Sequence, residues 1–259
     1  MVDTPLLELR NVKKRFAAVQ VLRGVSMTVR AGLVTALIGD NGAVKSTLIK
    51  CVAGVYQFDE GSIIWEGRDV HIGSPKAASA VGIEFVYQDL ALCNNLDVAQ
   101  NLFLGRERRR GWFLDEESME AASRDTLAGL AVTTIRSVRQ KVAGLSGGQR
   151  QSVAVSKAVM WNSKLVVLDE PTAALGVAQT KQVLELVRRL ADRGLGVIFI
   201  SHNLEDVLKV ADSIAVLRLG ALVAQPARTD VTGQELVELI TTGRSGTRFP
   251  ASPASGVQA

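Results

Sequence analysis

Six short apolar runs rich in β-branched residues, each closed by a turn signal, limit what this chain can fold into more than any single residue does. They are LLELRNV at 6–12, LVTALIG at 33–39, IEFVYQ at 83–88, KLVVLDE at 164–170, GVIFIS at 196–201 and SIAVLRL at 213–219. Several are almost continuously apolar, the pattern of strands covered on both faces. Amphipathic stretches lie between the later runs; in AQTKQVLELVRRLADRG (178–194), Val183, Val187 and Leu190 share one helical face and Gly194 offers a stop. Strands alternating with helices predict an α/β fold built on a mostly parallel sheet. Residues from about 90 to 160 carry charged helical segments and no convincing buried strand, and are expected to form a helical subdomain inserted into a domain spanning 1–243. The Pro/Gly/Ser-rich tail, 244–259, is expected to be disordered.

A chain of 259 residues with 47% hydrophobic content has material for a substantial core. No run reaches the roughly 20 apolar residues of a membrane span, and the first residues lack the basic flank and apolar centre of a signal peptide, so a cytosolic location is expected. Cys51 and Cys93 are the two cysteines and read as reduced thiols. Two histidines and no Cys/His cluster argue against structural zinc. A formal charge of +4 is too small to call for a nucleic acid. RERRRGW at 106–112 reads as a solvated loop or helix end, His71 as a surface histidine, and Trp65, Trp112 and Trp161 as packing residues.

LIGDNGAVKSTLIK, 37–50, sits between a buried strand and a helix expected to begin at Lys45 and stop near Gly54. That is the setting of a phosphate-binding loop, except that Val44 stands where G-x-x-x-x-G-K-[ST] has glycine. Gly39, Asp40, Asn41, Gly42, Ala43, Val44, Lys45, Ser46 and Thr47 are the candidate nucleotide-binding residues. In such a loop backbone N–H groups wrap phosphates, Lys45 neutralises their oxygens and the Ser46 hydroxyl reaches Mg²⁺.

Four further stretches follow in order: YQDLAL with Gln88, LSGGQRQ with Leu145, Ser146, Gly147, Gly148 and Gln149, LVVLDEPT with Asp169 and Glu170, and VIFISHN with His202. With these the chain resembles the nucleotide-binding subunits of ABC transporters over about residues 5–243. The resemblance implies a P-loop NTPase-type sheet with an N-terminal antiparallel β part. It makes Glu170 the base for the attacking water, with His202 at the γ-phosphate and Gln88 at the metal or that water, and it makes Ser46, Gln88 and Asp169 the Mg²⁺ ligands. Glu170 is expected to point away from Asp169 because side chains alternate along a strand. The LSGGQ residues would meet ATP held by a second subunit, so one set of motifs implies a homodimer, or a heterodimer with a different ATPase. Phe16 in KKRF matches the aromatic that stacks on adenine; taken alone it would more often be a core residue.

VYQDLALCNNLDVAQNLFLGRE (86–107) and DEPTAALGV (169–177) resemble the ATPases of bacterial sugar importers, here a single-domain member. That implies two transmembrane permease subunits as partners, an indirect link to a substrate-binding protein, no nucleic acid, and a peripheral place on the inner face of the membrane. DLALCNNL at 89–96 is the expected permease contact. Gly176 stands where many ABC ATPases have a D-loop aspartate. Translation and DNA-repair ABC ATPases are the competing class, but they carry tandem domains or coiled-coil insertions. A third reading is a nucleotide-binding subunit with little or no turnover, and it turns on Val44. A β-branched residue at positive φ is a strained outlier costing roughly 1–2 kcal/mol, enough to weaken ATP binding about tenfold.

Overall fold

The structure is a computed structural model and describes residues 4–39 and 43–244. In chain order the strands and helices are β1 (Leu7–Phe16), β2 (Val19–Val29), β3 (Val34–Gly39), α1 (Ala43–Val52), β4 (Glu60–Trp65), β5 (Arg68–Val70), α2 (Pro75–Val81) and β6 (Ile83–Val86). Then come α3 (Val98–Phe103), β7 (Arg109–Arg110), β8 (Phe113–Leu114), α4 (Glu116–Gly129) and α5 (Gly147–Val159). The last part holds β9 (Leu165–Asp169), α6 (Val177–Asp192), β10 (Gly196–Ile200), α7 (Leu204–Val210), β11 (Ser213–Arg218), β12 (Ala221–Ala224) and α8 (Gly233–Thr242).

The main sheet has the order β12-β11-β3-β10-β9-β6. All neighbours are parallel except β12, an antiparallel edge strand. Alternation along each strand serves two cores at once. Val34, Ala36 and Ile38 of β3, Val166 and Leu168 of β9, and Val197 and Phe199 of β10 enter one core with residues of α5, α6, α7 and α8. Leu37, Leu165, Val167, Ile198 and Ile200 enter the other, against Leu48, Ile49, Cys51 and Val52 of α1 and the four-stranded antiparallel sheet β2-β1-β4-β5. The expected mostly parallel core, N-terminal antiparallel part and inserted helices are all present. The apolar runs mark β1, β3, β6, β9, β10 and β11; the half-buried β2, β4 and β5, whose alternation is diluted by polar residues, no such run marks.

Residues 98–153 contribute a third core, in which Phe103, Leu102 and Val98 of α3 meet Met119 and Leu127 of α4 and Val153 of α5. Asp97 begins α3 with a capping box, its carboxylate accepting from the Gln100 N–H, which satisfies donors a short helix would otherwise leave orphaned. Residues 106–112 are all exposed, as a solvated stretch, and Arg109 and Arg110 pair with Leu114 and Phe113 in a small hairpin. Trp65 is buried and Trp161 packs edge-on against Phe103 at 5.5 Å, but Trp112 is 98% exposed and is not a packing residue. His71 is exposed. The residues from 245 onward, on which the expectation of a disordered tail falls, lie outside the described residues, as do Asp40, Asn41 and Gly42. Among the described residues no helix is long and apolar enough to cross a membrane.

Cys51 lies on the buried face of α1, and burial pushes its thiol up to about 11. The thiol therefore stays protonated, and weakly nucleophilic, at neutral pH. Iodoacetamide at pH 8 followed by mass spectrometry is expected to leave Cys51 unmodified in the native chain and to modify it once the chain is unfolded in denaturant.

Candidate nucleotide site

The parallel strands end nearly level: Ile200 pairs with Leu37 on one side and Asp169 on the other, and Val86 pairs with Leu168. The segments that follow β3, β6, β9 and β10 therefore leave the carboxyl edge of the sheet together, where open α/β sheets bind ligands. They carry the phosphate loop, Gln88, Glu170 and His202. Gly39 has φ +148°, and a Cβ there would stand 1.9 Å from the Leu217 carbonyl oxygen of β11. The first glycine of the loop is thus required by the neighbouring strand, whatever the loop binds.

Helix α1 begins at Ala43, two residues before the expected start. Val44 is therefore in the first helical turn with helical backbone angles, and its side chain packs against the core beneath α1. The positive-φ strain expected of Val44 does not arise. Lys45 is buried and its Nζ donates to the Gly39 carbonyl at 2.9 Å, which brings the ammonium back to the end of β3. Ser46 is half-buried in the same turn and Thr47 is buried.

Asp169 closes β9 and is half-buried. Burial, then the neighbouring Glu170 charge, raise its carboxyl above the usual range, while Lys45 and Lys50 oppose the rise. Glu170 follows the strand at φ +49°, with its N–H donating to the Ile200 carbonyl at 3.0 Å. This left-handed residue, at a cost of roughly 1–2 kcal/mol, is what parts the two carboxylates; strand alternation has no role because β9 has already ended. The turn delivers Glu170 to His202, whose Nδ1 lies 2.9 Å from Glu170 Oε2. With Glu170 ionised, Nδ1–H donates and fixes the imidazole, leaving Nε2 for a second partner. Behind this pair the buried Thr172 hydroxyl donates to the buried Asp206 carboxylate at 2.9 Å, tying the segment after Glu170 to the helix after His202. Asn203 caps that helix, accepting from the Glu205 and Asp206 N–H groups.

Gln88 is exposed in the segment after β6. Its neighbour Tyr87 is the residue that feels Asp169: burial, then the Asp169 charge, raise its hydroxyl. Phe16 is exposed at the end of β1, with its ring edge-on to Tyr56 at 5.1 Å and Lys14 Nζ 5.5 Å above it. Tyr87, Tyr56 and the Thr172–Asp206 bond were missed from sequence; apart from the SHN-x-E-D cap, no local pattern announces them.

The signature stretch opens α5. Ser146 is its exposed N-cap, accepting from the Gln149 N–H, while Gln149 accepts from the Ser146 N–H at 2.9 Å and donates to the Thr134 carbonyl at 2.6 Å. Leu145 is buried in the helical core. A Cβ on Gly148 would meet Gln179 at 3.1 Å and one on Gly147 would meet Leu175 at 2.9 Å, so both glycines also let α5 close on the start of α6. Because α5 and α1 pack on opposite faces of the parallel sheet, the structure does not bring the signature together with the phosphate loop in one core.

Mg²⁺ takes oxygen ligands and uses only one or two carboxylates beside the phosphates it accompanies. Asp169 beside Glu170, with the Ser46 hydroxyl at the helix start, is a donor set of that kind. The described residues hold no cluster of three or more His, Cys, Asp or Glu that would make an all-protein metal cage.

Comparison with known proteins shows the family. The model of the ABC transporter family matches residues 22–173. The chain is 45% identical to the xylose/arabinose import ATP-binding protein XylG of Sulfolobus acidocaldarius over 236 residues, covering 91% of this chain and 94% of that one. It is 43% identical to the fructose import ATP-binding protein FrcA of Rhizobium meliloti, covering 93% and 95%. Against the ribose import ATP-binding protein RbsA of Yersinia pestis it is 40% identical but spans only 47% of that protein. A solved ATP-binding cassette of an ABC transporter superposes with a TM-score of 0.80 at 29% identity, covering 91% of this chain and 98% of that one. The chain belongs to the ABC transporter family, as one of its ATP-hydrolysing subunits.

Proposed function

We propose that the chain is the ATP-binding subunit of a sugar importer, coupling Mg-ATP binding and hydrolysis to transport by membrane partners. The observation that carries the reading is the Glu170–His202 contact at the edge that also holds Asp169 and Lys45. The sugar assignment is supported by the xylose/arabinose, fructose and ribose import relatives. The subunit works at the inner face of the membrane as a homodimer, or paired with a different ATPase, beneath two permease subunits that a substrate-binding protein serves; no nucleic acid takes part. Helix α5 on the sheet face opposite α1 supports the dimer, since the exposed Ser146 then serves the nucleotide of the other copy. The segment 89–96, beside a cleft of about 290 Å³ lined in part by Tyr87, Leu90, Ala91, Lys157 and Trp161, receives the permease.

The Ser46 hydroxyl, the Asp169 carboxylate and the Gln88 amide would hold Mg²⁺, which would supply charge neutralisation for the phosphates. The N–H groups of the first turn of α1 and the Lys45 ammonium hold the phosphates. Glu170 Oε accepts the proton of the attacking water, and the Nδ1–H of His202 keeps that carboxylate aimed; a second proton on Nε2 would let the same ring donate to the γ-phosphate. Phe16, edge-on to Tyr56, offers its face to adenine. Substituting Glu170→Gln keeps size and hydrogen bonding but removes the base. ATP binding is expected to persist while turnover falls roughly 10²-fold or more; undiminished turnover in a coupled phosphate-release assay would overturn the assignment of Glu170.

Val44 weakens ATP binding, but by crowding and not by strain. Its helical backbone and its contact with the core supply no penalty to the fold, while its side chain would add bulk at a motif position where the family has glycine beside phosphate. Val44→Gly therefore acts in opposite directions on two measurements. ATP affinity is expected to rise. The fold loses about 1–2 kcal/mol through helix propensity and lost apolar contact. Titration with ATP and denaturant unfolding read the two effects separately, and equal affinity in both proteins would show Val44 to be harmless.

A further inference from the structure

Trp112, Phe113 and Leu114 are 98%, 80% and 49% exposed, the one consecutive run among the exposed large apolar side chains of the described residues. They form the turn and second strand of the hairpin in which Arg110 pairs with Phe113 and Arg109 with Leu114. A two-stranded hairpin of this size has little stability of its own in water, yet its base is firmly held. The Arg106 guanidinium donates to Ser79 Oγ at 2.8 Å and lies 5.0 Å over the Trp161 ring; Arg108 lies 5.2 Å over Phe103. The Asp115 N–H donates to the Arg108 carbonyl at 2.9 Å and its carboxylate caps α4. The result is a fixed stalk with an apolar, aromatic end.

The charges beside that end have one dominant sign. Residues 105–114 hold four arginines and one acid, Glu107. Arg109 and Arg110 are exposed and enter no ion pair among the described residues. Of the acids that follow, Asp115 caps α4 and the exposed Glu116 binds Arg139 at 2.7 Å, while Glu117 is exposed as well. A convex finger has no groove for a peptide or a helix. Tryptophan and phenylalanine at its tip with arginine behind them match the level of lipid headgroups, where indole rings settle and guanidinium groups pair with phosphate.

We propose that residues 109–114 are an interfacial anchor that seats this subunit against an anionic lipid surface. The inference rests on the importer reading, which places the chain beside a membrane. The test uses the whole chain with vesicles of phosphatidylglycerol and phosphatidylcholine, and with phosphatidylcholine alone, followed by flotation and tryptophan emission. The chain is expected to float with the anionic vesicles, with blue-shifted emission, and to lose both on joint Trp112→Ser and Phe113→Ser substitution. Arg109→Gln and Arg110→Gln are each expected to weaken partition roughly fivefold and to reduce its salt sensitivity, with ATP affinity unchanged in every variant. Failure of the unaltered chain to float, or equal flotation of the Trp112/Phe113 variant, would overturn the anchor. So would a variant that binds vesicles normally but no longer co-purifies with membrane subunits in detergent, because the tip would then be a protein contact. Failure of the unaltered chain to co-purify with any membrane subunit, with vesicle binding intact, would count against the importer reading and leave the anchor standing.

Discussion

Everything at the candidate nucleotide site depends on a parallel sheet dried on both faces. Once Val34, Ile38, Val166, Leu168, Val197 and Phe199 face one core and Leu37, Val167, Ile198 and Ile200 face the other, no polar side chain can leave the middle of these strands without an unpaid desolvation cost. Chemistry is confined to the strand ends. The chain uses the carboxyl edge, where level strand endings bring together segments far apart in sequence: Lys45, Asp169, Glu170 and His202 meet because β3, β10 and β9 are neighbours in the sheet.

That edge is organised by a small number of backbone decisions. Gly39 exists because the β11 carbonyl leaves no room for a Cβ. Glu170 turns left-handed directly after Asp169, so one carboxylate stays with the lysines and the other reaches the imidazole. The Thr172–Asp206 bond then couples the two segments from beneath, in a dry place where leaving either partner unsatisfied is costly. A local conformational cost is thus held in place by tertiary hydrogen bonds, the usual arrangement at a functional site.

Legibility followed the same physics. The buried strands were visible because covering on both faces demands nearly unbroken apolar runs, and the motif residues because phosphate chemistry demands fixed residue types at strand ends. The half-buried β2, β4 and β5 were hidden, since alternation diluted by polar residues resembles many loops. Tyr87, Tyr56 and Asp206 were hidden for another reason: their partners are 30 or more positions away and nothing local marks them. Val44 and Trp112 were misjudged in opposite senses. The valine was charged with a strain that the early start of α1 removes, and the tryptophan was assigned to packing because hydrophobicity alone does not say which side of a hairpin meets water.

Residue order by itself determined that this chain would build a doubly covered parallel sheet and place a lysine, two carboxylates, a glutamine and a histidine at its strand ends, because covalent spacing and hydrophobic periodicity are local properties. Only the tertiary structure decided which of those groups touch, that Glu170 leans on His202, that the signature helix lies across the sheet from the phosphate loop, and that an arginine-backed aromatic hairpin stands out in solvent. Contacts and exposure depend on which distant surfaces are pressed together, and no window along the chain contains that information.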